Sequence, residues 1–220
     1  MYNITTLGYV SIFALILLCI LSAGYYTGSS RKGISGKQMI LSIACLGIAF
    51  LATNITIYQM PMGGEVTPCS MFFITYIGYL YGPRVGISAA AAYGLLQLIT
   101  DPYIVNVPQM LCDYILAFGV LGISGFLSNR KLGLQLGYLA GILGRCFFSV
   151  LSGVLFFAEY APEGMHPLIY SLRYNGTYIG AEALMTLVII SIPPVTKLLN
   201  KLKTSNGGDS ADGSSIPAGR

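Results

Sequence analysis

Charge is what this chain lacks most. Only 9% of its 220 residues are Asp, Glu, Lys or Arg, while 55% are hydrophobic; an ordinary soluble domain has roughly a quarter of its residues charged. So few charges cannot clothe a water-facing surface, which excludes a soluble globular protein and leaves a membrane protein. The chain has one histidine, His166, and its five cysteines (Cys19, Cys45, Cys69, Cys112, Cys146) are scattered without a C-x-x-C pair. That pattern supports neither a zinc site nor a disulfide framework. His166, between Met165 and Pro167, reads as a surface residue rather than a metal ligand or an acid-base catalyst. G-x-S-x-G and H-E-x-x-H are missing, and Gly33-Ile-Ser-Gly-Lys37 has the wrong spacing to cradle phosphate. With no motif for ATP hydrolysis, uphill transport needs another subunit to supply the work. Tryptophan is absent as well, which leaves 16 Tyr and 10 Phe as the aromatic complement.

What the chain does have is long apolar runs. They give seven expected spans, at 5–26, 38–58, 69–82, 85–100, 108–128, 133–157 and 174–196. The third and fourth are short and meet at the turn Tyr81-Gly82-Pro83-Arg84, which predicts a tight helical hairpin. No cationic residue precedes the first run, and Arg31, Lys32 and Lys37 follow it, so it reads as a retained span rather than a cleaved signal.

The net charge of +4 invites a nucleic-acid reading, but most of the 12 basic residues sit in short loops. They are topology determinants, so no nucleic-acid partner is expected. Arg31, Lys32, Lys37, Arg84, Arg130, Lys131, Lys197, Lys201 and Lys203 mark one side, and Glu65, Asp101, Glu159 and Glu163 the other. The rule that positive loops stay inside then predicts a multi-pass protein of the plasma membrane, with the N-terminus outside and the C-terminus cytoplasmic. Residues 204–220, rich in Gly, Ser and Asp, are expected to form a disordered cytoplasmic tail.

Ionisable groups inside a span cost at least about 2.5–3.5 kcal/mol each on insertion scales, so those that remain need a cavity or a partner. Three qualify: Asp113, Arg145 and Glu182. Asp113 and Arg145 could neutralise one another as an interhelical staple. Arg145, Ser149 and Ser152 fall on one face of a helix, as do Asn175, Tyr178 and Glu182. Together with the pair Asp113-Tyr114 they describe a pocket lined from several helices, although Tyr178 alone also fits a membrane-interface belt. The segment 156–175 is expected to be a long outer loop able to act as a lid.

The order of these residues resembles the thiamine-specific substrate-binding (S) subunits of energy-coupling factor transporters. The resemblance runs from Lys37 to Lys203 and rests on Arg145-Cys-Phe-Phe-Ser149, Ser152-Gly153, Tyr160-Ala161, Tyr170-Ser171-Leu172, Asn175-Gly176 and Pro108-Gln-Met-Leu-Cys-Asp113-Tyr114. It implies an all-α membrane protein: a six-helix core over 37–203, preceded by one additional N-terminal transmembrane helix within 1–36. It implies that Asp113, Tyr114, Tyr170 and Asn175 contact the ligand; Arg145, Ser149, Phe157, Tyr178 and Glu182 are second choices for the same site. The carboxylate would complement the positive ligand, aromatic faces would hold the thiazolium, and Asn175 would pair with the aminopyrimidine. The family's Lys, His and two Trp are replaced here by Arg145, Ser149, Phe157 and Pro162, and Glu182 stands where the family has a smaller residue.

The implied function is capture of thiamine or a related cationic heterocycle, without enzymatic activity or a cofactor. The implied partners are the lipid bilayer, a transmembrane coupling subunit and two cytoplasmic ATPases. Coupling would run through small residues of the first core helix, where Cys45 and Ala49 are four apart; packing within the subunit is the competing use of that pair. Two other readings stand beside this one, a scaffold of a cell-envelope assembly and an S subunit for a different vitamin.

Overall fold

Runs of apolar residues interrupted by Gly and Pro set the element boundaries. The computed structural model describes residues 36–207, so the expected first span and residues 208–220 lie outside the described part. Helix α1 is Gly36–Thr53, followed by a short antiparallel hairpin of β1 (Tyr58–Gln59) and β2 (Glu65–Val66). Helices α2 (Ser70–Tyr81) and α3 (Pro83–Thr100) follow, hinged at Gly82, whose φ of 88° favours glycine. Helix α4 runs through Val107–Leu127 and departs twice from α geometry: Leu111–Leu116 is π-helical and Val120–Leu127 is 3-10. Then come α5 (Gly133–Phe156), the turn Ala158–Tyr160, α6 (Pro167–Ser191) and α7 (Pro193–Gly207).

This is a mostly helical membrane protein. Among the described residues, α1, α4 and α5 are each long and apolar enough to cross a bilayer, and α6 with α7 passes as a bent pair. Outward-facing apolar residues support the same reading: Leu143, Phe147 and Leu155 on α5 are 62%, 63% and 61% exposed. Exposure of that size on consecutive turns is tolerable only against lipid. The opposite face of α5 is small. A Cβ on Gly137 would meet Ser124 O at 2.8 Å, and one on Gly141 would meet Leu121 O at 3.0 Å, so α4 and α5 approach backbone to backbone.

Three expectations need correction. The second span, expected to reach residue 58, ends at Thr53, because the β-branched run Ile55-Thr56-Ile57 enters the hairpin instead of continuing the helix. The expected outer loop 156–175 is a loop only to His166. There the backbone turns extended, Nδ1 of His166 accepts from Leu168 N at 3.2 Å, and Pro167 opens α6. Residues 204–207, expected to open a disordered tail, instead continue α7 to Gly207. They do so because Leu199 and Asn200 are bonded to Tyr76 and Tyr79 of α2, at 2.8 Å each, which fixes the helix from below.

The pair Cys45 and Ala49 is buried against the helices of the subunit itself, so its packing is intramolecular.

Close approach gives one stability prediction. A Cβ on Gly94 would fall within the radius of the Tyr114 carbonyl oxygen and 2.9 Å from its carbon. Backbone cannot rotate away as a side chain can, so Gly94→Ala should cost about 3 kcal/mol, the upper end of overpacking. The loss should appear as a lowered melting temperature in detergent, and an unchanged melting temperature would contradict it.

Candidate functional site

Tyr79, Gly82, Pro83, Gly125, Ser128, Asn200 and Lys203 meet at one end of the bundle. The hairpin and the loops after α3 and α5 cluster at the other end, with Glu65, Asp101, Glu159 and Glu163. Beneath these loops lies a cavity of about 250 Å³. All nine side chains singled out in the sequence, Asp113, Tyr114, Arg145, Ser149, Phe157, Tyr170, Asn175, Tyr178 and Glu182, line it. So does Ser152, which completes the polar stripe of α5.

Asp113 and Tyr114 project from the π-helical turn of α4. Such a turn carries an extra residue and re-aims the side chains on it, which is why it recurs at functional sites. Gln109, one α-helical turn earlier and 1% exposed, organises this wall. Its Nε2 donates to Asp113 Oδ2 at 2.6 Å and to Tyr103 O at 3.0 Å, and its Oε1 accepts from Val105 N at 3.0 Å. Tyr114 holds the same loop: its hydroxyl accepts from Tyr103 N at 2.7 Å and donates to Asp101 O at 3.0 Å. Its ring, rather than its hydroxyl, is therefore what it offers the cavity.

The expected Asp113–Arg145 staple gives way to another arrangement. The guanidinium of Arg145 lies over the Phe118 ring, 4.1 Å from its centroid, and Nε is buried without a hydrogen-bond partner. A cation and a carboxylate thus line one cavity, and Gln109 rather than Arg145 bonds the carboxylate. The buried hydroxyl of Ser152 also lacks a partner. Buried polar atoms of this kind usually await water or a ligand.

Asn175 is already engaged. Its Nδ2 donates toward Ser149 O at 3.3 Å, Ser171 O at 3.1 Å and Ser171 Oγ at 3.2 Å, while Oδ1 accepts from Tyr178 OH at 3.0 Å. Glu182 is more fully committed. It accepts from Thr67 Oγ1 at 2.7 Å, Ser70 Oγ at 3.0 Å, Met71 N at 3.0 Å and Thr67 N at 3.4 Å. It ties α6 to the start of α2, and its oxygens are taken.

Two aromatic clusters contribute to the lining. Tyr170, Tyr174 and Tyr178 form a ladder along α6 with centroids 6.2 and 5.8 Å apart. Tyr103 and Phe157 pair at 5.8 Å, and Phe157 meets Tyr160 at 6.1 Å. The neighbouring Tyr103 hydroxyl raises the Tyr160 hydroxyl above the usual tyrosine value. Tyr174 also fastens the hairpin over the cavity, accepting from Gly64 N at 2.8 Å and donating to Pro61 O at 2.5 Å. Gln109 and Tyr174 were not singled out in the sequence, although each lies four residues from a residue that was. Among the described residues no group of His, Cys, Asp and Glu is placed to hold a metal ion.

Comparison with known proteins agrees with the sequence resemblance. The family model described as thiamine transporter protein (Thia_YuaJ) matches residues 39–202. The thiamine transporter ThiT of Bacillus subtilis (strain 168) is 30% identical, over 71% of this chain and 91% of its own. That of Lacticaseibacillus paracasei is 27% identical, over 71% and 87% respectively. Among solved structures, ThiT from Listeria monocytogenes shares the fold with a TM-score of 0.61 at 25% identity, covering 76% of this chain and 99% of that one. The match reaches from α1 to α7 and takes in every residue named in the cavity, so the chain belongs to the thiamine transporter protein family.

Proposed function

We propose that this chain captures thiamine in the cavity as the S subunit of an energy-coupling factor importer, and that it is a binding subunit rather than an enzyme. One observation carries the reading: a half-buried carboxylate, Asp113, lines a partly open cleft together with two aromatic clusters. That is the complement of a flat cationic heterocycle, which gains from ring faces and from a fixed negative charge where water is excluded. Without Trp, the Tyr ladder and the Tyr103–Phe157 pair supply those faces. Calorimetric titration of the purified subunit with thiamine tests the reading, and absence of heat at micromolar ligand overturns it. Running the pyrimidine and thiazole halves and unrelated vitamins in the same assay tests the alternative of another vitamin. Arg145, with its buried unpartnered Nε, is the observation that favours that alternative.

The acidic loop end would face outside and the basic end the cytoplasm, in accord with the charge asymmetry. Nine residues, Asp113, Tyr114, Arg145, Ser149, Phe157, Tyr170, Asn175, Tyr178 and Glu182, remain the proposed ligand site, with Tyr114 acting through its ring and Glu182 through the wall it holds. Residues 37–203 would form the transport core.

The transmembrane coupling subunit and its two ATPases would engage the outer face of α1. There Ala44 and Ile48 are exposed, and a Cβ on Gly47 would meet nothing within 4 Å. Gly47→Arg should therefore abolish co-purification with the coupling subunits while thiamine binding stays within about threefold of the parent, the spread ordinary for surface changes. Retained co-purification would remove α1 from the proposal.

A further inference from the structure

Ligand capture makes no use of α7. At the break Ile192 the chain turns by 83° from α6, with Pro193 and Pro194 opening the new helix. If α6 crosses the bilayer, α7 runs close to its plane. One face of α7 is fixed to the bundle: Tyr76 donates to Leu199 O and Tyr79 to Asn200 Oδ1, each at 2.8 Å, and Lys203 donates to Ser128 O while lying 4.2 Å from the Tyr79 ring centroid. At roughly 100° per residue, Leu198 and Leu202 fall on one flank of that fixed face, and Lys197 and Lys201 fall beyond them, pointing away from the bundle. Leu198 is 58% exposed and Leu202 38%, and both lysines are exposed.

We propose that α7 lies in the interface of the leaflet at this end and binds the phosphates of anionic lipid headgroups. Charge complementarity supports that occupant. Arg130 and Lys131 are exposed in the turn that Lys203 reaches through Ser128. The six described acids, Glu65, Asp101, Asp113, Glu159, Glu163 and Glu182, lie at the opposite end or around the cavity. Among the described residues the end is therefore basic without local compensation. An apolar flank beside a basic one is the pattern of a helix that seats leucines at the acyl boundary and lysines among headgroups. The flank also continues an apolar border, since Phe126 and Leu132, on either side of the basic turn, are 70% and 63% exposed.

Hydrogen exchange of the full chain in nanodiscs tests the proposal. The α7 amides should exchange about fivefold more slowly for each lysine engaged when phosphatidylglycerol is added to phosphatidylcholine, the factor matching about 1 kcal/mol per lysine near an anionic surface. High salt should erase the difference. Lys197→Gln combined with Lys201→Gln should erase it too, while thiamine binding, which these residues do not touch, stays unchanged. Equal exchange of the parent protein in the two lipids overturns the proposal, as does a double variant that keeps the difference. Protection that appears only when the coupling subunits are added, whatever the lipid, makes the face a protein-docking surface and overturns it as well.

Discussion

Asp113→Asn is expected to weaken thiamine binding by roughly 150-fold, or about 3 kcal/mol, with the fold intact. The amide has nearly the same shape as the carboxylate and can still accept the 2.6 Å bond from Gln109, so what disappears is the charge. In water a lost ion pair costs little, but Asp113 is half-buried in a cleft lined by the hairpin and by Asp101 and Tyr103. Removing one partner of a desolvated pair costs about 2–5 kcal/mol, partly because the ligand's charge is then left buried alone. Calorimetry on parent and variant measures the change, and equal melting temperatures without ligand exclude a folding cause. The uncharged pyrimidine half provides the control, since it should lose less than about fivefold if charge is what Asp113 contributes. An Asn variant within threefold of the parent would remove Asp113 from the site.

The sequence was most legible where one physical rule acted alone. Length and apolarity located α2 to α5 within two residues, since Gly82, the Asp101–Asn106 stretch and the Ser128–Leu132 turn interrupt them sharply. Polar spacing on α5 and α6 was legible for the same reason, because an isolated stripe in an apolar helix has only one face to occupy. It failed where two rules competed. Ile55-Thr56-Ile57 is apolar enough for a span and β-branched enough for a strand, and only the hairpin partner Val66, whose carbonyl accepts from Ile57 N at 2.9 Å, decides between them. Pro167 reads as a loop residue until His166 caps the helix ahead of it.

The site itself divides along the same line. Which residues face the cavity follows from helical period, and the period was visible. Whether Glu182 retains free hydrogen-bonding capacity depends on partners more than 100 residues away in the sequence, Thr67, Ser70 and Met71. No local pattern encodes such a partner. The π-helical turn under Asp113 is equally invisible, because an extra residue in a helix leaves the composition unchanged.

Glu182 holds the cavity wall, and its variants should lose stability rather than ligand contacts. The carboxylate is 2% exposed and is met by the hydroxyls of Thr67 and Ser70 and the amides of Thr67 and Met71. Ser70 opens α2, and the residue before it, Cys69, adopts φ 61° without a side-chain cap bond. A carboxylate from α6 therefore does the work of a cap for α2, at the helix end where negative charge is favoured. Glu182→Ala leaves those donors buried and unpaired, which should cost about 3–5 kcal/mol and lower the melting temperature by about 10 °C. Glu182→Gln, which keeps one acceptor oxygen and turns an NH₂ toward donors, should lose roughly half of that. Thiamine affinity measured well below the new melting temperature should stay within about tenfold, because Thr67, Ser70 and Met71 frame the cavity wall without supplying the ligand's counter-charge. A Gln variant that melts like the parent yet binds more than a hundredfold more weakly would make Glu182 a second anionic contact, and would put two carboxylates opposite one cationic ring.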